Sequence, residues 1–508
     1  MKIDRGLKQI ANGGWKFLWS TDGSLKKGVI RGSIWAFLSR AVLRSTTFFR
    51  TLILARILAP QDFGLFGVAL LTLSTLETFS QTGFQQALIQ KKENTEGYLD
   101  AAWTTLLLRG IFLFVILYFI APYAAIFFNV PQAKIFIRVI GLSLLFRSFT
   151  NIGIIYFQKE LELNKEFIYH SSGAVVDFIV TISVVLIVRS VWALVFGLLA
   201  GDLIRLIMSY LIHPYRPKLN LNLEKAKKLF SYGKWVMGSS ILTFLLNQGD
   251  DALVGKLLGV TTLGLYQVAY SISNLPVTET ALAIHSITFP AYSKLQDNLP
   301  KLRKAYLKVL QFTAFLSFPI AGLILVLAPD FTMIFLGEKW MPMVPTMQLL
   351  TLVGLLTSLG TTASPIFYSL GKPRIIAELQ SAQLFFLAAL IFPFTLRWGI
   401  LGTSLSLVLA TLATSIIEVY RIVRITKLRI SDLLNALFYP SLNIAITILF
   451  ILLIRFSGVV PVGVLGILLL TLVAISTYLG IAYVLDKVSN YKALSVIRES
   501  FSLLRDST

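Results

Sequence analysis

Seven arginines and no lysine fall inside stretches of this chain that are otherwise apolar: Arg40, Arg44, Arg50, Arg109, Arg138, Arg147 and Arg205. A guanidinium stays charged in a low dielectric and offers a planar fork of donors, which suits the paired oxygens of a phosphate or diphosphate. Facing hydrocarbon, each would cost about 2.5–3.5 kcal/mol, so the set points to a polar interior. Arg40, Arg44 and Arg147 sit deep in their stretches, where they either line a cavity for an anion or pair with an acid such as Glu77, Asp177 or Asp202. Arg50, Arg138 and Arg205 lie nearer the ends, where reaching out to the membrane surface is an equal alternative. Eight acids share these stretches: Glu77, Asp177, Asp202, Asp250, Asp251, Glu279, Glu378 and Glu418. A carboxylate held there can bind a proton or a sodium ion, and Asp250, Asp251, Asp177 and Asp202 are the candidates for doing so.

Helical spacing sorts these residues into faces, because positions three, four and seven apart lie above one another. One face carries Ser33, Arg40, Arg44, Thr47 and Thr51; a second carries Ser74, Glu77, Gln81 and Gln85. Two more, Ser240–Thr243–Asn247–Asp250 and Gln267–Ser271–Asn274–Thr278–His285, recur about 200 residues later. Singly, such serines and asparagines serve as hydrogen-bonding contacts between helices. Four aligned faces read better as cavity walls, with Arg40, Arg44, Arg147, Glu77, Gln81, Asn247 and Asn274 as the substrate-binding set.

The elements that position them follow from composition. Of 508 residues, 56% are hydrophobic and 14% charged, against about a quarter charged in a soluble domain. Uncharged apolar stretches of about 20 residues predict fourteen membrane-spanning helices and no strand, an all-α polytopic fold. The reading divides the chain into a cytoplasmic amphipathic segment (1–32), six spans (33–212), a linker (213–234), six more spans (235–420), two peripheral spans (421–485) and a tail (486–508). The connections leave no room for a soluble catalytic domain, so no enzyme is expected. With the amino terminus inside, the cytoplasmic segments hold 32 basic residues and the outer ones seven. That bias sets both termini in the cytoplasm, and orientation and anionic lipid account for the net charge of +21 without nucleic acid. Zero cysteines and three histidines leave no thiolate metal site, and no cofactor is expected beyond a coupling H+ or Na+.

The two sets of six spans are related. RILAPQDFGLFGVA from Arg56 lies without a gap over KLLGVTTLGLYQVA from Lys256, matching Leu58 with Leu258, Gly64 with Gly264, Leu65 with Leu265, Val68 with Val268 and Ala69 with Ala269. Both copies join an odd span to an even one on the outer face, so the repeat is a parallel one, with substrate expected between two six-helix lobes. Gly249 to Lys256, GDDALVGK, mimics a phosphate-binding loop but carries five spacers and Leu257 in place of Ser or Thr, which rules against a nucleotide there.

These segments, with LNQGDDALVGKLLGVTTLGLYQVAYSISNLP and FPAYSKLQ, resemble the Wzx-type polysaccharide flippases of the multidrug, oligosaccharidyl-lipid and polysaccharide exporter superfamily, most of all the colanic and teichuronic acid subgroup. The resemblance runs over nearly the whole chain. It implies a cytoplasmic-membrane protein that moves an undecaprenyl-diphosphate-linked oligosaccharide outward by cation-coupled alternating access, with membrane lipids around it and a polysaccharide polymerase as a partner. It also implies a cationic cavity, matched here at Arg40 and Arg44, and an ionisable group at Asp250. Asp251 departs from the pattern and alters the local charge. The alternative is a cation-coupled drug or metabolite antiporter of the same superfamily, against which the arginine excess argues.

Overall fold

The computed structural model describes residues 25–90, 96–458, 461 and 463–489. Most of the amphipathic segment expected at 1–32 and of the tail expected at 486–508 lies outside the described residues, as do the side chains of Thr278 and His285. Among the described residues every regular element is helical and no strand occurs. In lipid this is the open solution, because a helix satisfies its own backbone groups where no water can.

The chain divides into two compact units, Met1–Phe244 and Leu245–Thr508. The first holds α1 (Leu25–Ile57), α2 (Pro60–Phe79), α3 (Phe84–Gln90), α4 (Glu96–Phe127), α5 (Ala133–Ile140), α6 (Leu142–Phe149), α7 (Ile155–Lys159), α8 (Leu163–Val188) and α9 (Trp192–Ile212). The boundary along the chain falls within α10 (Leu223–Leu258), and the second unit continues with α11 (Val260–Lys294), α12 (Leu299–Phe331), α13 (Val344–Gly360), α14 (Ser364–Ser369), α15 (Arg374–Thr426), α16 (Ile430–Phe456) and α17 (Val464–Ser489). The linker expected at 213–234 is thus shorter. Residues 213–222 run as an extended strap, tied down by Tyr215 Oη and Lys218 N donating to Asp100 Oδ1 at 2.6 and 2.8 Å. The first half of α10 then belongs to the first unit, with Lys225 Nζ donating to Gly97 O at 2.6 Å and Phe244 edge-on to Phe79.

Nine of the described helices are long and apolar enough to cross a membrane, and the bent pair 133–149 with 152–159 makes a tenth. The 53-residue α15 contains two of the expected spans. It reverses at Gly399, whose φ of 60° favours a residue without Cβ, and Gln383–Thr411 (3.3 Å) and Arg421–Glu378 (3.0 Å) bonds pair its two arms. Helices α1, α10 and α11, of 33, 36 and 35 residues, have the length but carry the polar faces, which dilutes their hydropathy. Each of the fourteen expected spans thus falls on described helices or an arm of one, of which nine helices, or ten with the bent pair, are long and apolar enough to cross a membrane.

The repeat has a structural counterpart. Helix α1 passes into α2 across Ala59, and α10 into α11 across Gly259, so the matched segments cover equivalent junctions. Val68, Ala69, Val268 and Ala269 are all buried just inside them. The last two helices pack mainly on α12: Asn443 Nδ2 donates to Tyr478 O at 3.1 Å and Tyr478 Oη to Phe315 O at 2.9 Å, while Phe438, Leu449 and Leu472 stay exposed.

Candidate functional site

The polar centre of the first unit forms where two spans break. Span 2 stops as α2 at Phe79 and resumes as α3 at Phe84; Gly83, at φ 64°, supplies the left-handed turn. A helix end buried in the membrane leaves carbonyls without donors. Arg109, on α4, meets them: its Nε donates to Ser80 O at 2.7 Å and its Nη2 to Glu77 O at 2.8 Å and Ser80 Oγ at 2.9 Å. A cation at a helix C-terminus also opposes the negative end of the helix dipole.

Span 4 breaks after α6 and bends by 70°. Asn151 organises this second break, its side chain accepting from Gly153 N at 2.9 Å and donating to Tyr215 O at 2.6 Å, while its backbone N donates to Ser209 Oγ at 3.0 Å. Trp103 Nε1 satisfies Thr150 O at 3.2 Å and Tyr210 Oη satisfies Phe149 O at 2.9 Å. Between the breaks lies a cavity of about 280 Å³, with Gln81, Gln85, Arg109, Arg147, Asn151 and Tyr169 among its lining residues. Amide, hydroxyl and guanidinium groups of this kind bind sugar hydroxyls and acidic oxygens.

A chain of ion pairs borders the cavity. Arg147 joins two spans, donating through Nη1 to Glu77 Oε2 at 2.9 Å and through Nε to Asp202 Oδ2 at 3.0 Å. Asp202, 3% exposed, also accepts from Ser143 Oγ and from Arg205 Nη1 at 2.8 Å. Arg50 pairs with Asp177, which accepts in addition from Thr181 Oγ1 at 3.0 Å. Arg50 and Arg205 therefore turn inward to acids instead of reaching for the membrane surface. Arg138 is the exception, lying over the Tyr118 ring at 4.1 Å and donating to Tyr118 O.

Of the residues the sequence singled out, the first unit brings Glu77, Arg147, Asp177 and Asp202 into this network and Gln81 to its cavity. Arg40 and Arg44 are exposed on α1 and do not line that cavity. In the second unit Asn247 is exposed, whereas Asn274 is buried with Nδ2 near Tyr270 O at 3.5 Å. Asp250 and Asp251 are buried, accepting from Tyr266 Oη at 2.6 Å and Gln267 Nε2 at 2.9 Å. Neither makes an ion pair among the described residues, and Asp250 Oδ1 has no hydrogen-bond partner there. A proton or a small cation is the natural complement to such a pair. Sequence reasoning did not assign Arg109, Asn151 or Tyr169 to a site. The signals were present as QTG at 81–83 and TN at 150–151, turn formers inside apolar runs.

Comparison with known proteins places this geometry in context. The family model described as polysaccharide biosynthesis protein matches residues 53–345, more than half of the chain. The lipopolysaccharide biosynthesis protein WzxC of Escherichia coli (strain K12) is 24% identical over 408 residues, 79% of this chain and 82% of its own length. The teichuronic acid biosynthesis protein TuaB of Bacillus subtilis (strain 168) is 24% identical over 363 residues, covering 71% and 75%. Among solved structures, the lipid II flippase MurJ in an inward closed conformation superposes with a TM-score of 0.74 at 15% identity, over 90% of this chain and 99% of that one. With that family model matched over residues 53–345 and several membrane-length helices in a MurJ-like fold, the chain belongs to the polysaccharide biosynthesis protein family.

Proposed function

We propose that the protein carries an undecaprenyl-diphosphate-linked oligosaccharide from the cytoplasmic to the outer face of the cytoplasmic membrane, by alternating access coupled to a proton or sodium ion. Both termini are cytoplasmic in this reading, and a polysaccharide polymerase receives the exported unit. The observation that carries it is the arginine-bordered cavity of the first unit, where the bonds that Arg109 and Arg147 make among the described residues each leave one terminal nitrogen for a ligand. The neighbouring amides Gln81, Gln85 and Asn151 suit glycan hydroxyls. Arg40 and Arg44, exposed along α1, supply bidentate donors for the diphosphate. We assign coupling to Asp250 and Asp251; Asp177 and Asp202 already hold arginines and keep the first unit in shape.

The test is transport by purified protein in liposomes. A fluorescent undecaprenyl-diphosphate oligosaccharide is offered beside a cationic dye under imposed proton or sodium gradients. Movement of the lipid, lost in Arg40→Ala and Arg44→Ala and partly regained with Lys, is the expected result. Dye movement alone would leave the antiporter of the same superfamily as the better reading. Unchanged lipid export by both Ala variants at equal protein level would remove these arginines from the site.

A further inference from the structure

The second unit contains a polar group that nothing above employs. A crevice of about 320 Å³ runs between α12, α13, the second arm of α15 and α16, and its lining is almost wholly apolar. Leu412, Ile416, Ile430 and Leu434 form its rim and are 43%, 65%, 59% and 63% exposed. On a membrane protein such a rim faces lipid. Inside the crevice stands one carboxylate, Glu418.

Glu418 makes no ion pair and no side-chain hydrogen bond among the described residues. The nearby guanidiniums are engaged elsewhere, Arg421 with Glu378 at 3.0 Å and Arg303 with Thr426 O. The carboxylate reaches its position by packing on Gly360, where a Cβ would lie 2.8 Å from Oε2. A carboxylate at this depth needs a proton or a cation, and an apolar slot open to lipid delivers cations only as part of amphiphiles. The crevice extends to Ile430 at the start of α16, next to the connection at 427–429; Lys427 and Arg429 there and Arg424 in the last turn of α15 are exposed. A ligand that complements the whole set has an acyl chain for the slot, an ammonium for Glu418 and a phosphate for the basic loop.

We propose that this crevice is a binding site for an aminophospholipid of the phosphatidylethanolamine type. Its ammonium contacts Glu418, one acyl chain lies along Ile416 and Leu434, and its phosphate sits at the basic loop. Anionic lipids, the polyprenyl diphosphate carrier included, are disfavoured by the same carboxylate. The site is independent of the transported substrate and of the transport reading.

Native mass spectrometry of the full-length protein, incubated with equimolar phosphatidylethanolamine and phosphatidylglycerol of identical chains, tests the assignment. The wild type is expected to retain phosphatidylethanolamine about tenfold over phosphatidylglycerol, the equivalent of about 1.4 kcal/mol. Glu418→Gln, which mimics the protonated acid, is expected to abolish the preference. Leu434→Trp, an enlargement at the exposed rim that leaves Glu418 in place, is expected to lower retention of both lipids and serves where the glutamine variant does not fold. Equal retention of the two lipids by the wild type means a slot for any acyl chain and overturns the headgroup assignment. A preference that survives Glu418→Gln overturns the role of the carboxylate and leaves a proton as its partner.

Discussion

The two units start from one template and treat charge in opposite ways. Carried back along the same helices, the register that matches Arg56 with Lys256 sets Arg50 opposite Asp250. In the first unit that position is an arginine already neutralised by Asp177; in the second it is an acid that, among the described residues, has no ion pair and one oxygen without a hydrogen bond. The following span differs as well. In the first unit it breaks at 80–83, while the corresponding stretch of α11 is one helix from Val260 to Lys294. A broken helix exposes carbonyls that must be met, and Arg109 meets them. The arginines of the first unit thus build the walls of a cavity as well as lining it, whereas Asp250 and Asp251 of the second make no ion pair among the described residues.

The sharpest way to break this comparison is to remove one acid from each unit. Asp202→Asn leaves Arg147 and Arg205 short of their shared anion and is expected to cost on the order of 3–5 kcal/mol, read as thermal unfolding in nanodiscs. Asp250→Asn keeps an acceptor for Tyr266 and is expected to change stability by less than about 1 kcal/mol while removing the ion dependence of transport. Equal destabilisation by the two would erase the distinction. A double-mutant cycle on Arg50→Ala and Asp177→Ala comes next, with a coupling energy of about 2 kcal/mol from the two single variants and the double. Additive losses would mean that the pair is incidental.

Smaller effects sharpen the account of the broken span. Arg109→Ala is expected to destabilise the first unit by about 1.5 kcal/mol, and Arg109→Lys to regain part of it, since one ammonium cannot reach all three acceptors. Hydrogen exchange at 76–83 should rise in the Ala variant and elsewhere stay level. Gly83→Ala puts a Cβ on a residue at φ 64° and should cost about 1 kcal/mol in the same unfolding measurement. Its counterpart in the repeat, Ala283, lies within the unbroken α11.

Much of this was legible in the chain because hydrocarbon is an unforgiving solvent. Apolar length dictated helices, and the match between the Arg56 and Lys256 segments marked equivalent junctions. The turn signal at 81–83 was also readable, but its consequence was not, since it depends on a guanidinium 26 or more residues away in sequence arriving at the open end. Likewise the run through 374–426 showed two spans, while the pairing of their arms rests on contacts such as Gln383 with Thr411.

What the sequence determined by itself is the solvent, the helical class, the repeat and the inventory of intramembrane charge, each set by local composition and period. Apart from Arg205 and Asp202, three residues apart on one helix, which arginine meets which acid was a tertiary decision. Glu77, Asp177 and Asp202 lie 70, 127 and 55 residues from the arginines Arg147, Arg50 and Arg147 that they bind. Partnership over such separations is fixed by how helices pack, and no periodicity within a single helix encodes it.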